Sequence, residues 1–196
     1  MNNTMSKREQ KRQTILDMAR KIFSRFGLNK TTMDEIAKAT RMGKATLYHY
    51  FSSKEQIFAE VIKEESRILK DKLNDALENA KTPQEKLRSY IITRIKYLNV
   101  LANTYSALSD DYLEHYSSVK KFRQEFSENE LQTLAALLRY GVDKKVFSVM
   151  KINDVANVMV MALRGLEFAL FTSEESEVSD DDINLLTDIM LYGICK

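Results

Sequence analysis

The sequence predicts an all-α protein. Three observations predict it: a single Pro and 5 Gly in 196 residues, apolar residues recurring three and four positions apart, and Ser/Thr starts followed three residues later by Glu or Gln ahead of several apolar runs. So few turn formers leave little room for a multistranded architecture. With 44% hydrophobic residues the chain is long enough to bury a sizeable core in one or two units.

The first helix is expected over 7–26, with Ile15, Met18, Ala19, Ile22, Phe23 and Phe26 on one face and Gly27 as the stop. The segment 31–51 then reads as two short helices joined by a tight turn. Thr32 and Glu35 form a capping box, and Asp34 adds charge that a helix start favours. Met33, Ile36 and Ala37 face inward, Met42 follows the turn, and Leu47 and Phe51 close the small core. Ser52 and Ser53, with Glu55 and Gln56 three residues on, cap a long helix over 54–80. Its start carries Ile57, Phe58, Val61 and Ile62, and its continuation Ile68, Leu69, Leu73 and Leu77. Thr82 and Pro83 mark a new boundary, with Pro at a first helical position. Further helices are expected over 84–102, 106–115, 119–140, 153–171 and 180–192, the last opened by Ser179 and three aspartates.

Two short helices at this spacing form a helix-turn-helix, and the second leaves Lys44, Ala45, Thr46, Tyr48 and His49 facing outward or sideways. Tyr, His and Thr are mediocre helix formers that gain nothing from solvent, so their presence there points to nucleic acid. Charge divides the same way. Residues 1–60 hold 12 Lys and Arg against 6 Asp and Glu, whereas residues 61–196 hold 18 against 22. A basic head on an acidic body suits a polyanion. The run Lys7, Arg8, Lys11, Arg12 fits either an arm along the groove or a frayed, solubilising terminus.

The stretch GKATLYHYFSSKEQIF, preceded by ILDMARKIFSRFGLNKTTMDEIAKATRM, resembles the TetR family of bacterial transcriptional regulators. The likeness rests on the F-G pair ending the first helix, the T-T cap of the second, the T-L-Y-x-Y-F recognition helix and the S-K-E opening of the next. It covers residues 10 to 62; the remainder resembles the family only in length and in its helical, apolar character. The resemblance implies a homodimeric repressor on a palindromic double-stranded operator, with a DNA-binding domain over 1–53 and a helical effector-binding and dimerisation domain over 54–196. It implies base-edge contacts from Lys44, Ala45, Thr46 and His49, with Tyr48 on base or backbone and Thr32, Tyr50 and Lys54 as phosphate clamps. Two positions depart from the family pattern. Arg41 stands where the turn usually has Gly, at a cost of roughly 1–2 kcal/mol if left-handed, which a phosphate contact would partly offset or a remodelled turn would avoid. Gly43 replaces the usual Ser cap, a loss of a few tenths of a kcal/mol.

In the body, the 153–171 helix is apolar nearly all round, with Val155, Val158, Met159, Met161, Ala162, Leu163, Leu166, Phe168 and Phe171. Such a helix must be covered on every side. Either it is the central helix of a monomer, or a second subunit covers it and the last helix, with Ile183, Leu186, Ile189, Met190 and Ile194, joins a four-helix seam. Arg94 lies amid the apolar stripe Leu87, Ile91, Ile95, Leu98, Leu101, where a charge needs a partner. One reading is an internal salt bridge, for instance with Glu167. The other is an effector cavity in which Arg94 meets an anionic, lipid-like molecule, walled by Tyr90, Tyr97, Tyr112, Tyr116, Phe122, Phe126, Met159 and Phe168.

Nothing in the sequence forms a catalytic constellation. His49 and His115 are the only histidines, Cys195 the only cysteine, and there is no phosphate-cradling glycine loop. No metal and no cofactor is expected. The amino terminus is polar and basic, and the most apolar stretch is interrupted by Asn157, Arg164 and Glu167, so the expectation is a cytoplasmic protein without a membrane partner. A ligand-independent or partner-controlled regulator, or an architectural DNA binder, would share the same head.

Overall fold

The computed structural model describes residues 6–104, 117–172 and 179–194, with side chains described except at 103–104, 117–123, 168–169 and 171–172. Eight helices and no strand occur among the described residues: α1 (Lys7–Lys30), α2 (Met33–Ala39), α3 (Lys44–Tyr50), α4 (Lys54–Asn79), α5 (Pro83–Thr104), α6 (Ser117–Asp143), α7 (Ile152–Thr172) and α8 (Asp180–Tyr192). The fold class is as expected, and the helices predicted from residue 54 onward match to within about three residues at either end. The helix expected over 106–115 lies outside the described residues, as do His115 and Cys195.

Local signals account for most of the boundaries. Ser6 accepts the Glu9 N–H while the Glu9 carboxylate accepts the Ser6 N–H, a complete capping box. Helix geometry therefore begins at Lys7, so the basic run Lys7 to Arg12 is helical and not a frayed end. Gly27 breaks α1 with φ 76° and ψ 166°, a conformation open to glycine, and the chain resumes one more turn to Lys30. The predicted stop is thus real but not final. Phe26, just before the break, is half-exposed and not buried with Phe23 on the apolar face. Thr82 caps α5 ahead of Pro83 by accepting the Glu85 N–H, and Ser179 caps α8 through Asp182.

The described residues form two compact units, one built from residues 6–65 with 104 and 117–120, the other from 66–103, 121–172 and 179–194. In the first, Ile15, Ala19 and Phe23 of α1, Ile36 of α2, Leu47 of α3 and Ile57, Phe58 and Val61 of α4 are at most 1% exposed. Burying each large side chain of this kind stabilises by roughly 1.5–3 kcal/mol. Phe23 and Phe58 meet edge to face, 5.5 Å between centroids. Polar ties flank this core: Arg20 pairs with Glu64 at 2.9 Å and Glu65 at 2.8 Å, and Gln13 donates to Glu64.

In the second unit Leu87, Ile91 and Ile95 of α5, Leu134 and Leu138 of α6, Ala156 and Leu163 of α7 and Ile183 of α8 form the core. The Ser148 N–H donates to the Ile194 carbonyl at 2.8 Å, tying the chain before α7 to the end of α8. Arg88 pairs with Asp188, and Lys96 with Asp180 at 2.8 Å, fastening α5 to α8. No helix among the described residues is long and apolar enough to cross a membrane.

Candidate nucleic-acid interface

The reading head is assembled from short-range signals. Thr32 accepts the Glu35 N–H at 3.3 Å while the Glu35 carboxylate accepts the Thr32 N–H at 2.7 Å. These bonds hold the Glu35 carboxyl below its ordinary value. At the other end of α2, the Thr40 hydroxyl donates back to the Ile36 and Ala37 carbonyls. Arg41 then takes φ 55°, the left-handed alternative and not a remodelled turn, and the Met42 N–H closes onto the Ala37 carbonyl at 3.0 Å. Gly43 caps α3 through its backbone alone.

Met33, Ile36, Ala37, Leu47 and Phe51 are all buried, and Met42 is half-buried beside them. That pins α3 by its inner face. Lys44, Ala45, Thr46, Tyr48 and His49 are exposed together on the outside, and Tyr50 is half-buried with its ring edge to face against His49 at 5.7 Å. A seven-residue helix with this open face and a rigid inner face fits the width of a major groove.

Its cations are less free than the sequence suggests. Lys44 pairs with Asp34 at 2.8 Å, and a hydrogen bond to that carboxylate raises the Lys44 pKa. Asp34, read from the sequence only for its effect on the helix dipole, is thus also the resting partner of the foremost reader. Lys54, expected as a phosphate clamp, instead donates to the carbonyl oxygens of Leu28, Asn29 and Thr31 at 2.9, 3.1 and 2.9 Å. The three donors of its ammonium are engaged within the head. The Thr32 hydroxyl likewise donates to Glu35, placing a carboxylate beside another expected phosphate contact. Arg12 stacks over Phe51, 5.2 Å from the ring centroid, and pairs with Glu60, so it braces α1 against α4.

In the second unit, Arg94 forms the internal salt bridge that was one of its two readings, with Glu167 as its partner and with Glu130 besides. Arg94 is 1% exposed. Its Nε bonds Glu130, and its Nη2 reaches Glu130 at 3.2 Å and Glu167 at 3.1 Å. Nη1 donates to the Leu163 carbonyl at 3.3 Å. The charge in the apolar stripe is therefore met from α6 and α7. Burial pushes the Glu130 carboxyl up against the pull of Arg94, with Glu167 pushing the same way. Tyr90 is buried, which raises its hydroxyl pKa, and Met159 is also buried. Tyr97 is half-buried with the Lys72 ammonium 5.8 Å over its ring, and Phe126 is half-buried. Tyr112 and Tyr116 lie outside the described residues, as do the side chains of Phe122 and Phe168.

Residues 15–61 match the family model described as bacterial regulatory proteins, tetR family. The chain is 28% identical to a transcriptional regulator from Cytophaga hutchinsonii whose crystal structure superposes with a TM-score of 0.77, covering 94% of this chain and 98% of that one. The chain belongs to the TetR family of transcriptional regulators. Over 189 residues it is 25% identical to the regulator QacR of Staphylococcus aureus, spanning 93% of this chain and 97% of QacR. It is 38% identical to the regulator YhgD of Bacillus subtilis over 68 residues, 35% of this chain and 36% of that relative. Within the TetR-type head, left-handed Arg41 and the backbone-only cap at Gly43 are accommodated without loss of the α2–α3 packing.

Proposed function

We propose that this helix-turn-helix regulator is a homodimeric repressor that grips a palindromic operator with two α3 helices and is released by a small apolar or lipid-like effector. The observation that carries the reading is the outer face of α3, where Lys44, Ala45, Thr46, Tyr48 and His49 stand exposed on a helix fixed by Leu47. Residues 1–53 act as the reading domain and 54–196 as the dimerisation and effector domain. Tyr48 and His49 reach base or backbone, and Arg41 and Tyr50 flank them on the phosphates.

A second copy is the natural cover for the outer side of α7 and α8. Val158 and Met161 of α7 and Leu185, Ile189 and Tyr192 of α8 are each more than 60% exposed. A central helix of a monomer would not leave Val158 and Met161 in water. Ala162 and Gly165 lie exposed on the same helix, and a Cβ built on Gly165 meets nothing within 4 Å. A helix-interior glycine costs roughly 1 kcal/mol, and nothing among the described residues requires it, so close approach by a partner helix explains its place. The seam differs from the one the sequence suggested: Ile183 and Ile194 belong to the chain's own core, and Leu185, Ile189 and Tyr192 take the outer face.

The effector would be held by apolar and aromatic side chains of the body, without Arg94 as its anion partner. Its uptake would move α4 and change the spacing of the two heads. Couplings of roughly 1–3 kcal/mol are usual for such switches. Selection from a pool of randomised duplexes tests the core of the proposal. Wild type is expected to enrich a palindrome with half-sites about one helical turn, or a small multiple, apart. Lys44→Ala is expected to lose roughly 1–3 kcal/mol of preference at one base pair of each half-site. An unchanged preferred sequence would remove Lys44 from the readers, and weak length-dependent coverage would indicate an architectural binder.

A further inference from the structure

Lys54 is the first residue of α4, where aligned peptide dipoles present partial positive charge and disfavour an ammonium. Its placement makes sense only from the other side of the contact. Past the break at Gly27, carbonyl oxygens gather at the negative end of α1, where the Thr31 N–H takes that of Leu28 at 3.2 Å. The Thr31 hydroxyl takes the Gly27 carbonyl at 2.7 Å, and Lys54 Nζ takes those of Leu28, Asn29 and Thr31 at 2.9, 3.1 and 2.9 Å. Thr31 is wholly buried, and only Thr32 separates it from the first residue of α2. The ammonium thus grips the chain at the point from which α2, and through the α2–α3 core the reading helix, departs.

We propose that Lys54 is a positioning residue for operator recognition, fastening the carboxyl end of α1 to the start of α4 and so fixing the angle at which α3 is presented. The inference rests on the DNA-reading role of α3 proposed above. It differs from a phosphate clamp in what it makes sensitive. A clamp adds sequence-independent affinity and one released counterion, whereas a brace changes only how well the correctly placed side chains meet their bases.

The experiment uses the full-length protein and two duplexes, the one wild type selects and a scrambled one, each titrated across a salt series. Lys54→Met is expected to bind the scrambled duplex like wild type and to keep the wild-type salt slope. On the selected duplex it is expected to lose about tenfold in affinity, the equivalent of one charge-assisted hydrogen bond. Backbone amides of α2 are expected to exchange faster. A loss equal on both duplexes with the slope reduced by about one would establish a clamp and overturn the proposal, as would wild-type behaviour throughout. If Lys54→Met does not fold, Lys54→Arg decides. Its charge is retained but its planar fork cannot converge on three carbonyls, so a brace predicts reduced preference at unchanged slope and a clamp predicts near wild-type binding. Failure of wild type itself to prefer any duplex would instead sink the DNA-reading role.

Discussion

Replacing Arg94 by Met tests how the body is held together. The guanidinium is 1% exposed and bridges three helices, contacting Glu130 twice, Glu167 at 3.1 Å and the Leu163 carbonyl at 3.3 Å. Met keeps much of the volume and removes every donor. Glu130, itself 1% exposed at its side chain, is left as an unpaired buried carboxylate, whereas the Glu167 side chain at 14% exposure retains some access to water. Removing one partner of a buried pair costs roughly 3–5 kcal/mol. At roughly 2–4 °C per kcal/mol for a chain of this size, the melting temperature is expected to fall by about 10 °C or more. The loss has a pH signature. Burial already raises Glu130 above its ordinary value of 4.5, and loss of Arg94 removes the main opposing pull. Glu130 then binds a proton more readily folded than unfolded, so the variant gains stability as pH falls through the folded pKa and stops gaining below the unfolded one. Thermal melts at equal protein concentration across pH 5 to 8, alongside Arg94→Met/Glu130→Gln, check each step; the double variant is expected to recover more than half the loss. A single variant within about 1 kcal/mol of wild type, or a double variant as unstable as the single, would refute the buried-charge argument.

Two further outcomes follow from the head and the seam. Arg41→Gly relieves φ 55° in the turn and is expected to raise stability by up to about 1 kcal/mol, because the gain in strain exceeds the entropy glycine adds to the unfolded chain; a lowered melting temperature would contradict this, and a salt slope reduced by about one would identify Arg41 as a phosphate contact. Ile189→Glu places a charge where the isolated chain is 61% exposed, so helical content should persist while sedimentation shifts toward monomer and operator affinity drops by about tenfold or more. A variant that stays dimeric would move the interface elsewhere.

The head was legible because its determinants are local. The Thr32–Glu35 capping box, the break at Gly27, the left-handed Arg41 and the inward Met33, Ile36, Ala37, Leu47 and Phe51 are all set by residues within a few positions of one another. Two contacts that sequence reasoning missed had signals that were available. Lys54 is a cation at a helix start, which the dipole argues against unless something nearby demands it. Glu130 lies four residues after Phe126 and four before Leu134, on an apolar stripe just as Arg94 is. Two opposite charges on two apolar stripes are candidates for each other.

The sequence by itself determined most of the described helices, the caps at Thr32, Thr82 and Ser179, the division of charge and the exposed face of α3, because periodicity and capping act over one or two turns. Tertiary structure alone decided which carbonyls Lys54 meets, that Glu130 joins Glu167 on Arg94, and that Leu185, Ile189 and Tyr192 stay outside while Ile183 and Ile194 turn in. The physical reason is rotation. A helix's own sequence fixes which residues share a side, but only packing against neighbours distant in the chain fixes where that side points.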